Sequence, residues 1–211
     1  MTGSITGHFY SNFFIIYTFN KSMKVSLFNK VLFSHTHRPN IVVDKKLIRG
    51  SCVSNPFELY SLKKDGVNQI IDLRCLSVEK IQIIPFFIEK MFCKMLGIKH
   101  INIKYNHKLT DIPDMNFFKQ INNLIVNNPQ KTYIHCRHGK RRTGICVAVF
   151  EMFNTKKQKS DILYNLYNIG FKELVTHDKK TPKHINKRLL DIYNNFLKKF
   201  YPEEQCINLN I

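Results

Sequence analysis

Residues 134 to 144 read IHCRHGKRRTG, and no other stretch constrains the fold as strongly. Ahead of Cys136, Lys131-Thr132-Tyr133-Ile134-His135 has the make-up of a short buried strand. Behind Arg142, TGICVAVFEMF reads as an apolar helix. The spacing therefore predicts Cys136 at a strand-to-helix turn. Arg137, His138, Lys140, Arg141 and Arg142 surround it with basic side chains.

Such a turn has a definite chemistry. The first N–H groups of a helix lack internal partners, and the helix dipole adds partial positive charge there. Together they form an anion site. Gly139 and Gly144 permit the curvature and close approach that a cradle of N–H groups requires. A cysteine in that field is expected to ionise below its free value of about 8.5. The field that stabilises the thiolate also binds a phosphate dianion beside it. Arg142 offers a planar fork to two phosphate oxygens, which a lysine cannot do. Thr143 can set a hydroxyl near the sulfur, to stabilise the thiolate when a phosphoenzyme breaks down.

His135-Cys136, five intervening residues, then Arg142-Thr143-Gly144 resembles the phosphate-binding loop of the cysteine-dependent protein-tyrosine and dual-specificity phosphatases. Two further stretches, Gly139-Lys140-Arg141-Arg142-Thr143-Gly144 and Ile71-Asp72-Leu73-Arg74, are similar to the compact atypical dual-specificity group of plants and fungi. The resemblance spans roughly residues 47–170. It implies an α/β fold, a mostly parallel central sheet flanked by helices, like that of the dual-specificity phosphatases. It implies Cys136 as nucleophile and Arg142 as phosphate clamp. Arg137, His138, Gly139, Lys140 and Arg141 would then line the substrate. The family's acid lies in a loop ahead of the cysteine, which points to Asp111. Asp114 is the second candidate, and its place after Pro113 at a helix start suits a capping carboxylate equally. The Trp-Pro-Asp loop of larger tyrosine phosphatases is missing, and the chain has no Trp.

The resemblance leaves several substrates open. A phosphorylated protein is the family's default. An inositol phosphate or phosphoinositide is the alternative, because the loop is crowded with cations, and Arg137 and Lys140 fall where a tumour-suppressor lipid phosphatase has two lysines. RNA 5′-triphosphatases share His-Cys and Arg-Thr-Gly but have Asn where this chain has Arg141. A phosphate-binding module without turnover would need the basic loop but no acid. No metal or organic cofactor is expected, since the loop supplies the positive charge. His135 is expected to face inward and brace the loop. Arg74, ending a strand, reads either as a side chain approaching phosphate or as a surface arginine. Cys75 reads either as a plain thiol or, by likeness to some lipid phosphatases, as a redox partner of the nucleophile.

Composition sets the remaining bounds. The 211 residues suffice for one domain and an extension, here 41–205 and 1–40. Six Cys at 52, 75, 93, 136, 146 and 206 show no short pair spacing, against a zinc site or disulfide scaffold. They suit a reducing, cytoplasmic setting. The formal charge of +18 points to an anionic partner, a phosphorylated substrate or an acidic membrane surface, with part of the lysine content attributable to AT-rich coding. Nucleic acid is not the expected partner, and a monomer is expected. The run HFYSNFFIIYTF from His8 to Phe19 is too short and polar to span a bilayer and makes a poor secretory signal. It reads as a lightly docked extension or, with Lys21, Lys24 and Lys30, as an interfacial anchor. Strands are expected over 41–43, 47–49, 67–73, 98–104 and 131–135. Helices are expected over 56–64, 78–96 with a break or kink near Pro85, 114–127, 159–169 and 182–200, besides the one after Arg142.

Overall fold

The computed structural model describes residues 41–53, 55–77, 79–106, 111–171 and 183–200. The readings of residues 1–40, of Cys206 and of the domain's end at 205 lie outside the described residues. Strand β1 (Ile41–Asp44) turns back on β2 (Leu47–Ser51) through the charged turn at Lys45-Lys46. Helix α1 (Pro56–Lys64) follows, then β3 (Val67–Asp72), a 3-10 turn (Lys80–Gln82), α2 (Ile83–Met95) and β4 (Lys99–Asn102). Helix α3 (Met115–Val126), β5 (Lys131–Cys136), α4 (Arg141–Asn154) and α5 (Lys159–Leu166) come next. A π-turn (Tyr167–Phe171) and α6 (Lys183–Phe200) complete the described chain.

The sheet has five strands in the order β1-β2-β5-β3-β4. Only β1 runs antiparallel; the pairs β2–β5, β5–β3 and β3–β4 are parallel. This is the mostly parallel sheet expected from strands alternating with helices. Its central strand, β5, is buried from Thr132 to Cys136, as a strand covered on both faces should be. On one side Ile71, Leu73 and Ile134 join Phe118, Ile121 and Ile125 of α3 and Ile145 and Val149 of α4. On the other, Ile48, Ile70 and Tyr133 pack on Leu59 and Leu62 of α1. Each such side chain contributes about 1.5–3 kcal/mol by leaving water. Helix α4 is buried continuously from Arg142 to Glu151, which explains why its sequence lacks a polar stripe.

Several boundaries differ from expectation for physical reasons. The break expected near Pro85 falls between Gln82 and Ile83, where the 3-10 turn gives way to α2. Pro85 is the third residue of the α-helix, in the first turn, where its missing N–H leaves no bond unmade. Strand β4 is shorter than expected, Lys99–Asn102. Helix α5 stops at Leu166 and gives way to the π-turn. There Gly170 lies beside the loop backbone, where an added Cβ would make ordinary contact with Lys140 O at 3.5 Å. Asn55 caps α1, accepting from Phe57 N at 2.9 Å, with Pro56 at the first helical position.

A charged network lies wholly inside the molecule beside β3 and β5. Arg74 donates to both Asp72 oxygens, at 2.8–3.0 Å, and to Glu89 of α2 at 2.5 Å. The Phe86 ring covers the guanidinium at 5.4 Å. His135 Nε2 lies 2.7 Å from Glu89 Oε1, and its Nδ1 is 3.1 Å from the Cys136 carbonyl oxygen. Burial would raise the Glu89 carboxyl, but His135 and Arg74 hold it well below the usual range. Burial would likewise lower His135, yet Glu89 and Asp72 raise it. Two carboxylates therefore face one guanidinium and one imidazole drawn toward its charged form, and the buried charges offset one another. Replacing Glu89 by Gln keeps the volume but leaves these cations under-compensated. The Glu89→Gln variant should lose about 3–5 kcal/mol of stability, read as a lowered midpoint in urea denaturation.

Candidate active site

The parallel strands deliver their carboxyl ends to one edge, where ligands bind in open α/β sheets. Ser51 of β2 pairs with Cys136, and Asp72 of β3 pairs with His135. Cys136 is the last residue of β5 rather than part of the loop after it, and α4 already begins at Arg141. Arg142 and Thr143 consequently sit in the first helical turn. At Gly139 the backbone takes φ +64°, and a Cβ there would stand 2.2 Å from Gly50 O, so only glycine fits. Arg49 of β2 is buried and donates to the carbonyls of Gly139 and Lys140 at 2.8 and 3.1 Å. With those oxygens drawn outward to Arg49, the loop is held from behind.

Burial would push the Cys136 thiol up. The Arg142 charge, the Thr143 hydroxyl and the backbone N–H groups of Thr143 and His138 overcome it and bring the thiol below its ordinary value. Thr143 Oγ1 is buried, and it is one of the groups that lower the Cys136 thiol. Other buried thiols go the opposite way. Burial pushes Cys52 up to about 12, and raises Cys93 and Cys146 as well. A buried sulfur that faces N–H groups and a guanidinium is suited chemically to attack an electrophile that is itself anionic.

Arg142 is fixed end-on by Glu79. Nη1 reaches Glu79 Oε2 and Nη2 reaches Oε1, both at 2.8 Å, and Nη1 also donates to Leu73 O at 3.2 Å. These bonds leave Nε–H and the second Nη2–H, the side fork of the guanidinium, outside that pairing. Glu79 was not legible as a site residue. Its only signal is that it is the lone acid between Asp72 and Glu89 in an apolar and basic stretch.

The other expected residues divide. His138 is exposed on the loop, whereas Arg137, Lys140 and Arg141 are half-buried. A groove of about 340 Å³ runs along the outer side of the loop, lined by Ile41, Arg49, Gly50, His138, Gly139, Asn168 and Ile169. His135 faces inward, as expected. Arg74 neither approaches the loop anion site nor lies on the surface. It is fully buried in the network with Asp72 and Glu89, because Glu89 supplies an inward carboxylate that the linear sequence does not reveal. Cys75 is a buried free thiol, 3.2 Å from the Ser77 hydroxyl. Asp111 is exposed in a bend before α3 and is not among the principal groups acting on the Cys136 sulfur. Lys199 of α6 ties this segment down, donating to the carbonyls of Ile112 and Pro113 at 3.3 and 2.7 Å. Asp114 is the N-cap of α3, accepting from Phe117 N at 2.9 Å. Asp72, Glu89, His100 and His135 lie close enough together to hold a metal ion. The Arg74 guanidinium already occupies oxygens of both carboxylates, so the group fits an ion-paired cluster better than a metal centre.

Two outcomes follow from this geometry. Alkylation of Cys136 by iodoacetamide should persist to pH values below the ordinary thiol range. In Arg142→Ala the rise should move to higher pH, with labelling at pH 6 slowed about tenfold. Asp114→Ala should lower stability by about 1 kcal/mol in thermal melts, the usual cost of a lost cap.

No family model matches the chain, and no curated protein matches it in sequence. Solved structures do resemble it. A putative phosphatase (DUF442) from Shewanella putrefaciens aligns with TM-score 0.51 and 13% identity, over 77% of this chain and 91% of that one. The tyrosine-phosphate-binding TpbA of P. aeruginosa and the catalytic core of the PP-IP phosphatase SIW14 of S. cerevisiae align less closely. Their TM-scores are both 0.48, with 12% and 16% identity over 71% and 78% of this chain and 80% and 91% of theirs. The strand order, the parallel sheet and the first of these likenesses agree, and the chain has the fold of the protein-tyrosine and dual-specificity phosphatases.

Proposed function

We propose that this protein hydrolyses phosphate monoesters through a phosphocysteine intermediate, and that its substrate is a phosphorylated protein, as for tyrosine and dual-specificity phosphatases. The observation that supports this most is the lowered thiol of Cys136 among the N–H groups of His138 and Thr143 with Arg142 beside it. In the first step the Cys136 thiolate attacks phosphorus, an S–P bond forms and the P–O bond to the leaving group breaks. The Nε/Nη2 fork of Arg142 and the loop N–H groups hold the equatorial oxygens. Asp111 gives its proton to the leaving oxygen. In the second step Asp111 takes a proton from water, whose oxygen attacks phosphorus. The S–P bond breaks, inorganic phosphate leaves, and the Thr143 hydroxyl receives the returning thiolate. A reducing, cytoplasmic compartment suits such a sulfur.

The cations of the loop favour a second substrate class. Arg137, His138, Lys140 and Arg141 stand beside Cys136 and Arg142. One phosphotyrosine needs few of them, whereas an inositol ring carrying several phosphates would engage more.

Purified protein should therefore release phosphate from a panel of phosphotyrosine peptide, phosphoinositides, inositol polyphosphates and triphosphate-ended RNA. Cys136→Ser should abolish release and retain phosphate affinity. Asp111→Asn should slow turnover of poor leaving groups about 10²–10⁴-fold, with little effect on good ones. Turnover that survives Cys136→Ser would rule out the phosphocysteine route. Binding without release in the wild type would make the loop a phosphate reader.

A further inference from the structure

Helix α2 is apolar on both of its sides. Inward, Phe86, Glu89 and Cys93 are buried. Outward, Ile84, Phe87, Met91 and Met95 are 62%, 58%, 51% and 45% exposed. Their spacing of three, four and four residues places them on one helical stripe. Twelve residues of helix, from Ile84 to Met95, carry that stripe over about 16 Å. Ile81 and Ile83, 70% and 40% exposed, extend the apolar surface into the turn before the helix. An ordinary surface helix would carry polar residues at those positions. Contiguous exposed apolar surface of this kind marks a contact.

The charge around the stripe says what kind of contact. Lys80, Lys90, Lys94 and Lys99 are all exposed. The one acid between residues 80 and 99 is Glu89, which points inward and is ion-paired with Arg74 and His135. The outer surface of this segment thus joins large apolar side chains to lysines and carries no negative charge. A second copy of the chain suits it poorly, because a two-fold contact through this face would set these lysines against their own counterparts. Nucleic acid would use the lysines but not the stripe. No described helix is long and apolar enough to cross a membrane, so the helix would lie on a bilayer rather than through it.

We infer that α2 is an interfacial docking element that lays Ile84, Phe87, Met91 and Met95 into the surface of an anionic lipid bilayer while its lysines meet the acidic headgroups. The docked segment is mechanically tied to the candidate site. Glu79, one residue before the turn that leads into α2, holds Arg142 end-on. This docking is independent of phosphate hydrolysis, and Cys136→Ser should bind vesicles as the wild type does.

The test is co-sedimentation of the full chain with phosphatidylcholine vesicles, with and without phosphatidylserine. The wild type should prefer phosphatidylserine-containing vesicles by about tenfold or more, and added salt should weaken the binding. Phe87→Ser with Met91→Ser, and separately Lys90→Glu with Lys94→Glu, should each cost about tenfold or more of that affinity. The thermal midpoint and turnover of a small soluble phosphate ester should stay as in the wild type. The lysine pair keeps the test decisive if serine at 87 and 91 lowers the melting midpoint. Equal binding to neutral and anionic vesicles, or binding untouched by both double variants, overturns the inference. So does a wild-type dimer that the serine pair splits without altering vesicle binding.

Discussion

The site rests on a neutralised charge cluster inside the protein. Asp72 belongs to β3, Arg74 follows it, Glu89 projects from α2, and His135 is the last residue before Cys136. Each charge alone would be costly to bury; together they offset one another. The cluster joins the two central parallel strands to a helix on one face of the sheet. His135 passes that constraint to the loop, because its other nitrogen meets the Cys136 carbonyl. The position of the sulfur therefore depends on ion pairs that never touch a ligand.

A second set of contacts shapes the loop from outside. Arg49 holds the carbonyls of Gly139 and Lys140, the π-turn at Gly170 abuts the Lys140 backbone, and Gly139 lies against Gly50. Glu79 fixes Arg142 end-on. The loop is thus held by a cation at its back and an anion on Arg142. Preorganisation of this kind stabilises transition-state charge without reorganisation at the moment of reaction. The same arrangement explains why Cys136 is driven down while Cys52, Cys93 and Cys146 are driven up. All are buried, and only the first faces donors arranged around an anion.

Much of this was legible in the sequence. The strand, loop and helix around Cys136 are contiguous, so their chemistry can be read in order. The turn at Asp44-Lys45-Lys46, the Asn55 cap and the parallel sheet followed from local signals and alternation. Asp114 as a cap was one of two readings, and its bond to Phe117 N shows that role. Arg74 was misplaced, because nothing near it in the chain announces that Glu89 turns inward from an otherwise apolar helix. The break expected near Pro85 falls between Gln82 and Ile83, where a 3-10 turn gives way to the α-helix and leaves proline in the first turn.

The sequence by itself determined the anion-site loop, because a helix N-terminus, a cysteine and an arginine within a few residues carry their geometry with them. Only the tertiary structure decided what holds that loop in shape. Glu79 lies 63 residues from Arg142, and Arg49 lies 90 from Gly139. Contacts across such separations depend on how strands are ordered in a sheet and which side chains end up buried. Those are properties of the packed chain, since a buried charge is tolerated only where folding brings its partner to it.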